Sequence, residues 1–295
     1  MNLIEDLRKK SIKYTLQIPS MAKVWKKWKV EIKEIIGNPP TVTKVLDLGD
    51  NLTNILLTTS TSGRSQSSVK TAGVVWEGLI SYYLNLCLIE SRTVVVPFVK
   101  HLVPEPIRDT MTVKYGNIQS NSESDLLAIT FPKQNEFTGE SKETNSKEMK
   151  KKIDNLTEEY FSEFELGNIQ CKTNWRDNAQ TPMLWDMIYH ANGFESRNIS
   201  VGQNNFDIKS LKKFSYSFVT VPTGNKPTPG SMPVKRVQNI SGGNYWGLES
   251  QNGVCNSIKE IFNKNLSEGK NKSLREDLKV GLDKLDLDYS YFDLE

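Results

Sequence analysis

Cysteine and histidine are scarce in this chain of 295 residues, which holds three Cys and two His. Cys87, Cys171 and Cys255 lie far apart and form no CxxC pair, so the sequence predicts neither a disulfide framework nor a cysteine zinc site. His101 and His190 are too few for a histidine-rich metal site. Nucleophilic catalysis by a Ser–His or Cys–His pair is therefore restricted to these two histidines.

Long apolar runs and a strong excess of one charge are also absent. The longest apolar stretches, such as 93–99, are too short to span a bilayer, and the charged N-terminal segment lacks the apolar core of a signal peptide. We therefore expect a cytoplasmic protein without membrane contact. The net charge of +3 does not by itself indicate nucleic-acid binding, and the hydrophobic content of 37% is that of an ordinary globular protein.

The N-terminal segment has a local excess of basic residues. Residues 1–40 contain nine Lys or Arg against four Asp or Glu, and several of the lysines flank Trp25 and Trp28 on a predicted helix. Such a face could contact phosphates. A solvated helix with both tryptophans in the core is the favoured interpretation.

Helical periodicity and strand alternation predict one elaborated domain over residues 1–295, of the α/β (α+β) class with a mixed β-sheet flanked by helices. Predicted helices cover 4–14, 21–36, 71–88, 147–164, 182–191 and 256–285, and predicted strands cover 45–48, 54–58, 93–99, 112–115, 125–131, 169–173 and 214–221. Residues 133–165 begin with many charges and few apolar side chains, so we expect a charged insertion there, with an exposed or mobile loop leading into a helix.

Two carboxylates stand out from their surroundings. Glu77 is the single carboxylate in the apolar helix AGVVWEGLISYYLNLCL, where an unpaired buried charge would be costly. On the polar face of that helix it would need no special role. Asp125 begins a predicted strand, and a hard oxygen ligand at a strand end suits Mg²⁺. Asp is also a common turn residue at strand entries.

The segment 169–173, with the sequence IQCKT, completes the candidate site. Because alternate residues of a strand share a face, Gln170 and Lys172 are expected to point the same way. Gln170 could supply one oxygen to a cation, and the backbone carbonyl of Cys171 another. Lys172 could position or help deprotonate an attacking water and offset phosphate charge.

The order of a helix Glu, a strand-entry Asp and a strand ending in (Asp/Glu/Gln)-x-Lys resembles the PD-(D/E)XK nuclease superfamily, which includes many Type II restriction endonucleases. The resemblance covers about residues 70–191 and implies a restriction-endonuclease-like core with helical N- and C-terminal additions. It implies that Asp125 and Gln170, with the Cys171 carbonyl, bind Mg²⁺ and that Lys172 serves the nucleophile. Glu77 matches more loosely, as a supporting catalytic carboxylate.

Two positions depart from the family pattern. Ser124 stands where Pro is usual, and Gln170 replaces the usual acidic residue, as in the QxK variant of Mrr-type restriction nucleases. The gap of 45 positions from Asp125 to Gln170 also requires the segment 133–165 as an insertion.

The resemblance implies a Type II restriction endonuclease that hydrolyses phosphodiesters in both strands of double-stranded DNA. A homodimer is expected because palindromic sites match two-fold proteins, and a cognate DNA methyltransferase is expected in the same system. Side chains of the kind that read base edges or contact phosphates are present at Arg64, Lys70, Asn174, Arg176, Asn178, Gln180, Lys235 and Arg236.

Three alternatives are distinguishable. A structure-selective repair or recombination nuclease, or a DNA-binding protein weakened catalytically at Gln170, would keep the same fold. A DNA methyltransferase is suggested by VLDLG at 45–49 and NPP at 38–40. It is disfavoured because the loop lacks its second glycine, so the backbone could not approach the ligand, and because the two motifs are too close together.

Overall fold

The structure is a computed structural model that describes residues 2–59, 66–121, 124–140, 145–179, 199–222, 227–248 and 269–294. Its α-helices are α1 (Leu3–Gln17), α2 (Pro19–Ile36), α3 (Val42–Asp47), α4 (Leu52–Leu57), α5 (Gln66–Cys87), α6 (Glu105–Thr110), α7 (Asn135–Thr138), α8 (Ser146–Glu159), α9 (Met232–Ser241), α10 (Leu274–Leu282) and α11 (Leu285–Asp288). The predicted helix 182–191 and the first part of the predicted helix 256–285 lie outside the described residues.

The strands form two sheets. They are β1 (Thr93–Pro97), β2 (Thr112–Tyr115), β3 (Ile118–Asn121), β4 (Leu126–Thr130), β5 (Glu165–Lys172), β6 (Ile199–Val201), β7 (Lys213–Thr220) and β8 (Tyr245–Trp246). The larger sheet has the order β1-β4-β5-β7-β8: β1, β4 and β5 pair antiparallel, whereas β5, β7 and β8 pair parallel. The smaller sheet is antiparallel, in the order β3-β2-β6. With helices flanking the mixed sheet, the α+β fold class is confirmed.

Both faces of the larger sheet are buried. Helix α5 is apolar nearly all round, which is typical of a buried helix, and its Leu79 and Ile80 share a hydrophobic cluster with Ile169 and Cys171 of β5. On the opposite face, Leu127 of β4 joins a second cluster. The alternation along each strand therefore divides its side chains between two cores.

The segment 133–165 contributes to the second core. Its helices α7 and α8 place Phe137, Met149 and Ile153 in the cluster that also holds Leu127, and Phe164 is fully buried just before β5. The charged side chains of α8 cover the outer side, as its amphipathic spacing requires. The described part of this segment is thus packed against the sheet through its few apolar residues.

The predicted strands at 45–48 and 54–58 are wrong, since both stretches are helical. Thr41 caps α3 by accepting a hydrogen bond from the Lys44 backbone N–H. In α4 the buried residues are Leu52, Ile55 and Leu56, which is the i, i+3, i+4 spacing of one helix face. A short apolar run fits both the helical and the strand periodicity, and here tertiary packing selects the helix. The VLDLG stretch is therefore not the strand and loop that a methyltransferase would require.

Trp25 and Trp28 lie in the core, as the sequence analysis expects for a solvated helix at the N-terminus. Trp28 is fully buried, and Trp25 is buried while its indole N–H donates to Asp293 at 2.7 Å. In the described part of the chain, no helix combines the length and the apolar character needed to cross a bilayer.

Candidate active site

Asp125 and Lys172 meet at one end of the central strands. The ammonium of Lys172 lies 3.0 Å from Asp125 Oδ2, and the backbone N–H of Cys171 donates to the same oxygen at 2.7 Å. Antiparallel pairing of β4 with β5 aligns Leu126 with Ile169, so Asp125 comes opposite the end of β5. Both charged side chains keep nearly a fifth of their surface exposed (18% for Asp125, 19% for Lys172), so solvent and ligands can reach the pair.

Glu77 belongs to the same electrostatic group. It lies partly buried on α5, and its pKa is raised from 4.5 to about 7, first by burial and then by the negative charge of Asp125, against the opposing effect of Lys172. Glu77 of α5 is therefore near enough to feel the charges of both Asp125 and Lys172. Such a pair of carboxylates carries an electrostatic penalty that a bound cation would relieve.

Lys172 is held in its charged form. Burial acts to lower the pKa of its ammonium, but the charge of Asp125 and its hydrogen bond outweigh burial, so the net pKa lies above 10.5. The thiol of Cys171 is instead held protonated, because burial and the neighbouring carboxylates raise its pKa well above 9.0. Lys172 thus acts through its positive charge, and Cys171 is suited to act through its backbone rather than as a thiolate.

Gln170 and Lys172 share a face of β5. Ile169 and Cys171 pack in the cluster with α5, so the alternate residues point to the other side of the sheet. Gln170 is fully buried there, and its Nε2 donates to Asn168 Oδ1 at 3.3 Å. Asn168, which the sequence analysis did not single out, is therefore the polar partner of Gln170 on this strand.

The oxygen donors at this sheet end fit a magnesium ion. Among the described residues, no group of three or more His, Cys, Asp or Glu side chains is placed to hold a metal. The carboxylates of Glu77 and Asp125 and the Cys171 carbonyl are hard oxygen donors of the kind that Mg²⁺ binds, since this ion often takes one or two carboxylates and keeps several waters. The Gln170 amide nitrogen donates to Asn168, and this contact does not test whether Gln170 binds a metal. Its role as a metal ligand therefore stays a prediction.

A 3₁₀ helix (Trp175–Ala179) follows directly after Lys172 and carries several predicted DNA contacts. Asn174 accepts hydrogen bonds from the backbone N–H groups of Arg176 and Asp177, so it caps this helix. Arg176 is exposed. Asn178 is fully buried and its Nδ2 donates to Thr220 Oγ1 at 2.9 Å, so the predicted contact of this side chain with DNA is wrong for the folded form described.

The other predicted DNA contacts are dispersed. Lys235 and Arg236 both lie in helix α9, where Lys235 is exposed and Arg236 is half-buried. Arg64 and Gln180 lie outside the described residues, as does the side chain of Lys70.

The sheet end is closed by an unusually tight backbone contact. Gly247 has φ +120°, and a Cβ there would collide with the Thr220 carbonyl oxygen. Thr220 is the register partner of Lys172 in β7, and the Gly247 carbonyl accepts the indole N–H of Trp175 at 2.7 Å. A glycine at this position therefore lets the backbone after β8 pack directly beside the candidate site.

A scan of the sequence against models of known protein families finds no match, and a search of curated proteins finds no significantly similar sequence. The function must therefore be inferred from the chemistry of the site itself.

Proposed function

We propose that this chain is a Mg²⁺-dependent DNA endonuclease of the Type II restriction class. The observation that carries the proposal is the ion pair of Asp125 with Lys172 at one end of the central sheet, with Glu77 of α5 near enough to interact electrostatically with both. Two carboxylates can bind a metal ion, and a charged lysine can stabilise the negative charge that develops during phosphodiester hydrolysis. Their order along the chain also matches the nuclease superfamily that the sequence resembles.

Each side chain has a distinct task in this proposal. Asp125 is fixed by the Cys171 N–H and directs its carboxylate towards the site. Glu77 supplies the second carboxylate. Gln170 stands where the family usually has an acidic residue, but its neutral amide supplies no negative charge. When bound at these oxygens, Mg²⁺ supplies Lewis-acid polarisation of the phosphate and lowers the pKa of a coordinated water.

Lys172 completes the catalytic group through its charge. Its ammonium is placed 3.0 Å from Asp125, where it can neutralise a phosphate oxygen and orient a water for attack on phosphorus. Because its pKa is raised, Lys172 is not a general base in the metal-free protein. Lys172 would therefore contribute its charge rather than accept a proton.

Double-stranded DNA is the proposed substrate, cut in both strands at a specific sequence. Cutting both strands of a palindrome is most simply done by a homodimer with one site per strand. Such an enzyme also needs a cognate DNA methyltransferase to protect the host genome. A structure-selective repair or recombination nuclease, and a protein that binds DNA without cutting it, are the competing outcomes of the experiment below.

Digestion of phage DNA by the full chain tests this function. With Mg²⁺ we expect discrete fragments whose ends map to one short sequence, and with EDTA we expect intact DNA. Cleavage confined to branched or flapped duplexes would favour a structure-selective nuclease, and binding without cleavage would favour the weakened protein. DNA that is neither bound nor cut, with or without Mg²⁺, would contradict the proposal.

A further inference from the structure

The chain holds a long stretch without acidic residues. Between Asp207 and Glu249 there is no Asp or Glu, and the basic residues in this stretch are Lys209, Lys212, Lys213, Lys226, Lys235 and Arg236. The whole chain has a net charge of only +3, so the remainder is slightly acidic. Positive charge without interleaved acids is the pattern expected of a surface that meets a polyanion.

Helix α9 (Met232–Ser241) displays part of this stretch. Its Val234 and Val237 are buried, whereas Lys235, Gln238 and Asn239 are exposed. Residues three and four apart lie on one side of a helix, so the exposed three form a single face. That face carries one cationic side chain and two side-chain amides, and α9 contains no acidic residue.

The buried side of α9 connects it to the candidate active site. Val234 and Val237 share a hydrophobic cluster with Trp175 and with Phe218 of β7. Trp175 follows Lys172 by three residues, a chain length of at most about 11 Å. The core that fixes α9 therefore adjoins the segment that follows β5, so α9 lies near the candidate active site.

We propose that α9 is the helix that reads the DNA sequence, with Lys235 contacting a phosphate and Gln238 and Asn239 contacting base edges. This inference rests on the proposed nuclease function and names the element that would give it specificity. An α-helix of about 10–12 Å diameter fits the major groove, which is about 12 Å wide. Gln and Asn amides pair bidentately with adenine, whereas a lysine ammonium contributes charge that is independent of sequence.

Salt dependence of binding tests the phosphate contact. The probe is a pool of random-sequence DNA duplexes, and every protein carries Asp125→Asn so that bound DNA is not cut. Affinity falls as salt rises, and Lys235→Gln should make this slope of log affinity against log salt shallower by about 0.9. Between 50 and 200 mM salt the variant should therefore lose about 3-fold less affinity than its parent. Lys279→Gln, which removes an exposed lysine from helix α10, is the matched control and should leave the slope unchanged.

Sequencing the bound fraction of the same pool tests the base contacts. Gln238→Ala and Asn239→Ala should each relax the preference at one or two positions of the selected sequence, with a loss of discrimination of about 5- to 150-fold per lost bidentate contact. Both positions are exposed, so the urea midpoint of unfolding should not change. Selected positions that stay as strict as in the parent protein would overturn the assignment of these two residues.

The outcomes separate the inference from the function on which it rests. If the wild-type chain cuts DNA at a specific sequence but Lys235→Gln behaves as Lys279→Gln and the two alanine variants keep full specificity, α9 is not the reading helix and the nuclease proposal stands. If the chain neither binds nor cuts duplex DNA, both proposals fail. A shallower salt slope for Lys235→Gln but not for Lys279→Gln, together with relaxed specificity in both alanine variants, supports α9 as the reading helix.

Discussion

Replacing Asp125 with Asn, or Lys172 with Met, is expected to lower the rate of DNA cleavage at least about 100-fold while DNA binding stays measurable. Asn keeps the acceptor that the Cys171 N–H requires at 2.7 Å but removes the negative charge that a metal needs. Met keeps the apolar stem of Lys172 but removes the charge 3.0 Å from Asp125. Both changes therefore delete charge from the site with little change of shape.

Single-turnover cleavage in the presence of Mg²⁺ measures this effect, with DNA binding measured separately in the same buffer. Asp286→Asn and Lys279→Met make the same chemical changes at exposed positions in the C-terminal helices, and they should cleave at the wild-type rate. Cleavage by Asp125→Asn and Lys172→Met at the rate of these controls would remove both residues from the catalytic group.

Replacing Glu77 with Gln is expected to have two opposite effects: the metal-free protein becomes more stable, and DNA cleavage requires more Mg²⁺. The pKa of Glu77 lies at about 7 in the folded chain, above its ordinary 4.5, so folding favours the protonated form. The resulting loss of stability is absent below pH 4.5, grows as the pH rises to 7, and is full above it. Gln removes this loss, which we expect to be about 1–3 kcal/mol at pH 8 after allowance for partial exposure.

Urea unfolding at pH 5 and pH 8, in EDTA, measures the first effect. The stability difference between Glu77→Gln and wild type should be clearly larger at pH 8, whereas Glu34→Gln, at an exposed position of α2, should show no such pH-dependent gain. Titration of the cleavage rate with Mg²⁺ measures the second effect. An unchanged Mg²⁺ titration in Glu77→Gln would leave Glu77 with a structural role only.

The sequence could suggest the residues of the candidate active site but not its geometry. The order of Glu77, Asp125 and Lys172 is a property of the sequence, and the alternation of β5 agrees with the packing of Ile169 and Cys171 against α5. The meeting of Asp125 and Lys172 depends on the pairing of β4 with β5, whose register partners Leu126 and Ile169 are separated by the whole charged segment. Local patterns carry no information about such a long-range register.

The errors of sequence reasoning arise where tertiary contacts decide between local options. Asn178 has the side chain of a base-reading residue, yet its amide is buried against Thr220. The segment with Lys235 is bordered by Pro and Gly, and the sequence pattern predicts no helix there, yet Val234 and Val237 anchor it as a helix on Trp175. In both cases the deciding partner lies far away in sequence.

Binding of a divalent cation by the full chain tests directly whether Glu77 and Asp125 hold a metal ion. Mn²⁺ is a spectroscopic substitute for Mg²⁺, and loss of the free Mn²⁺ signal in electron paramagnetic resonance measures its binding at pH 8. We expect the wild-type chain to bind Mn²⁺ in competition with Mg²⁺, and Asp125→Asn and Glu77→Gln to bind it at least about tenfold more weakly. Equal Mn²⁺ affinity in the wild type and in both variants would contradict the account.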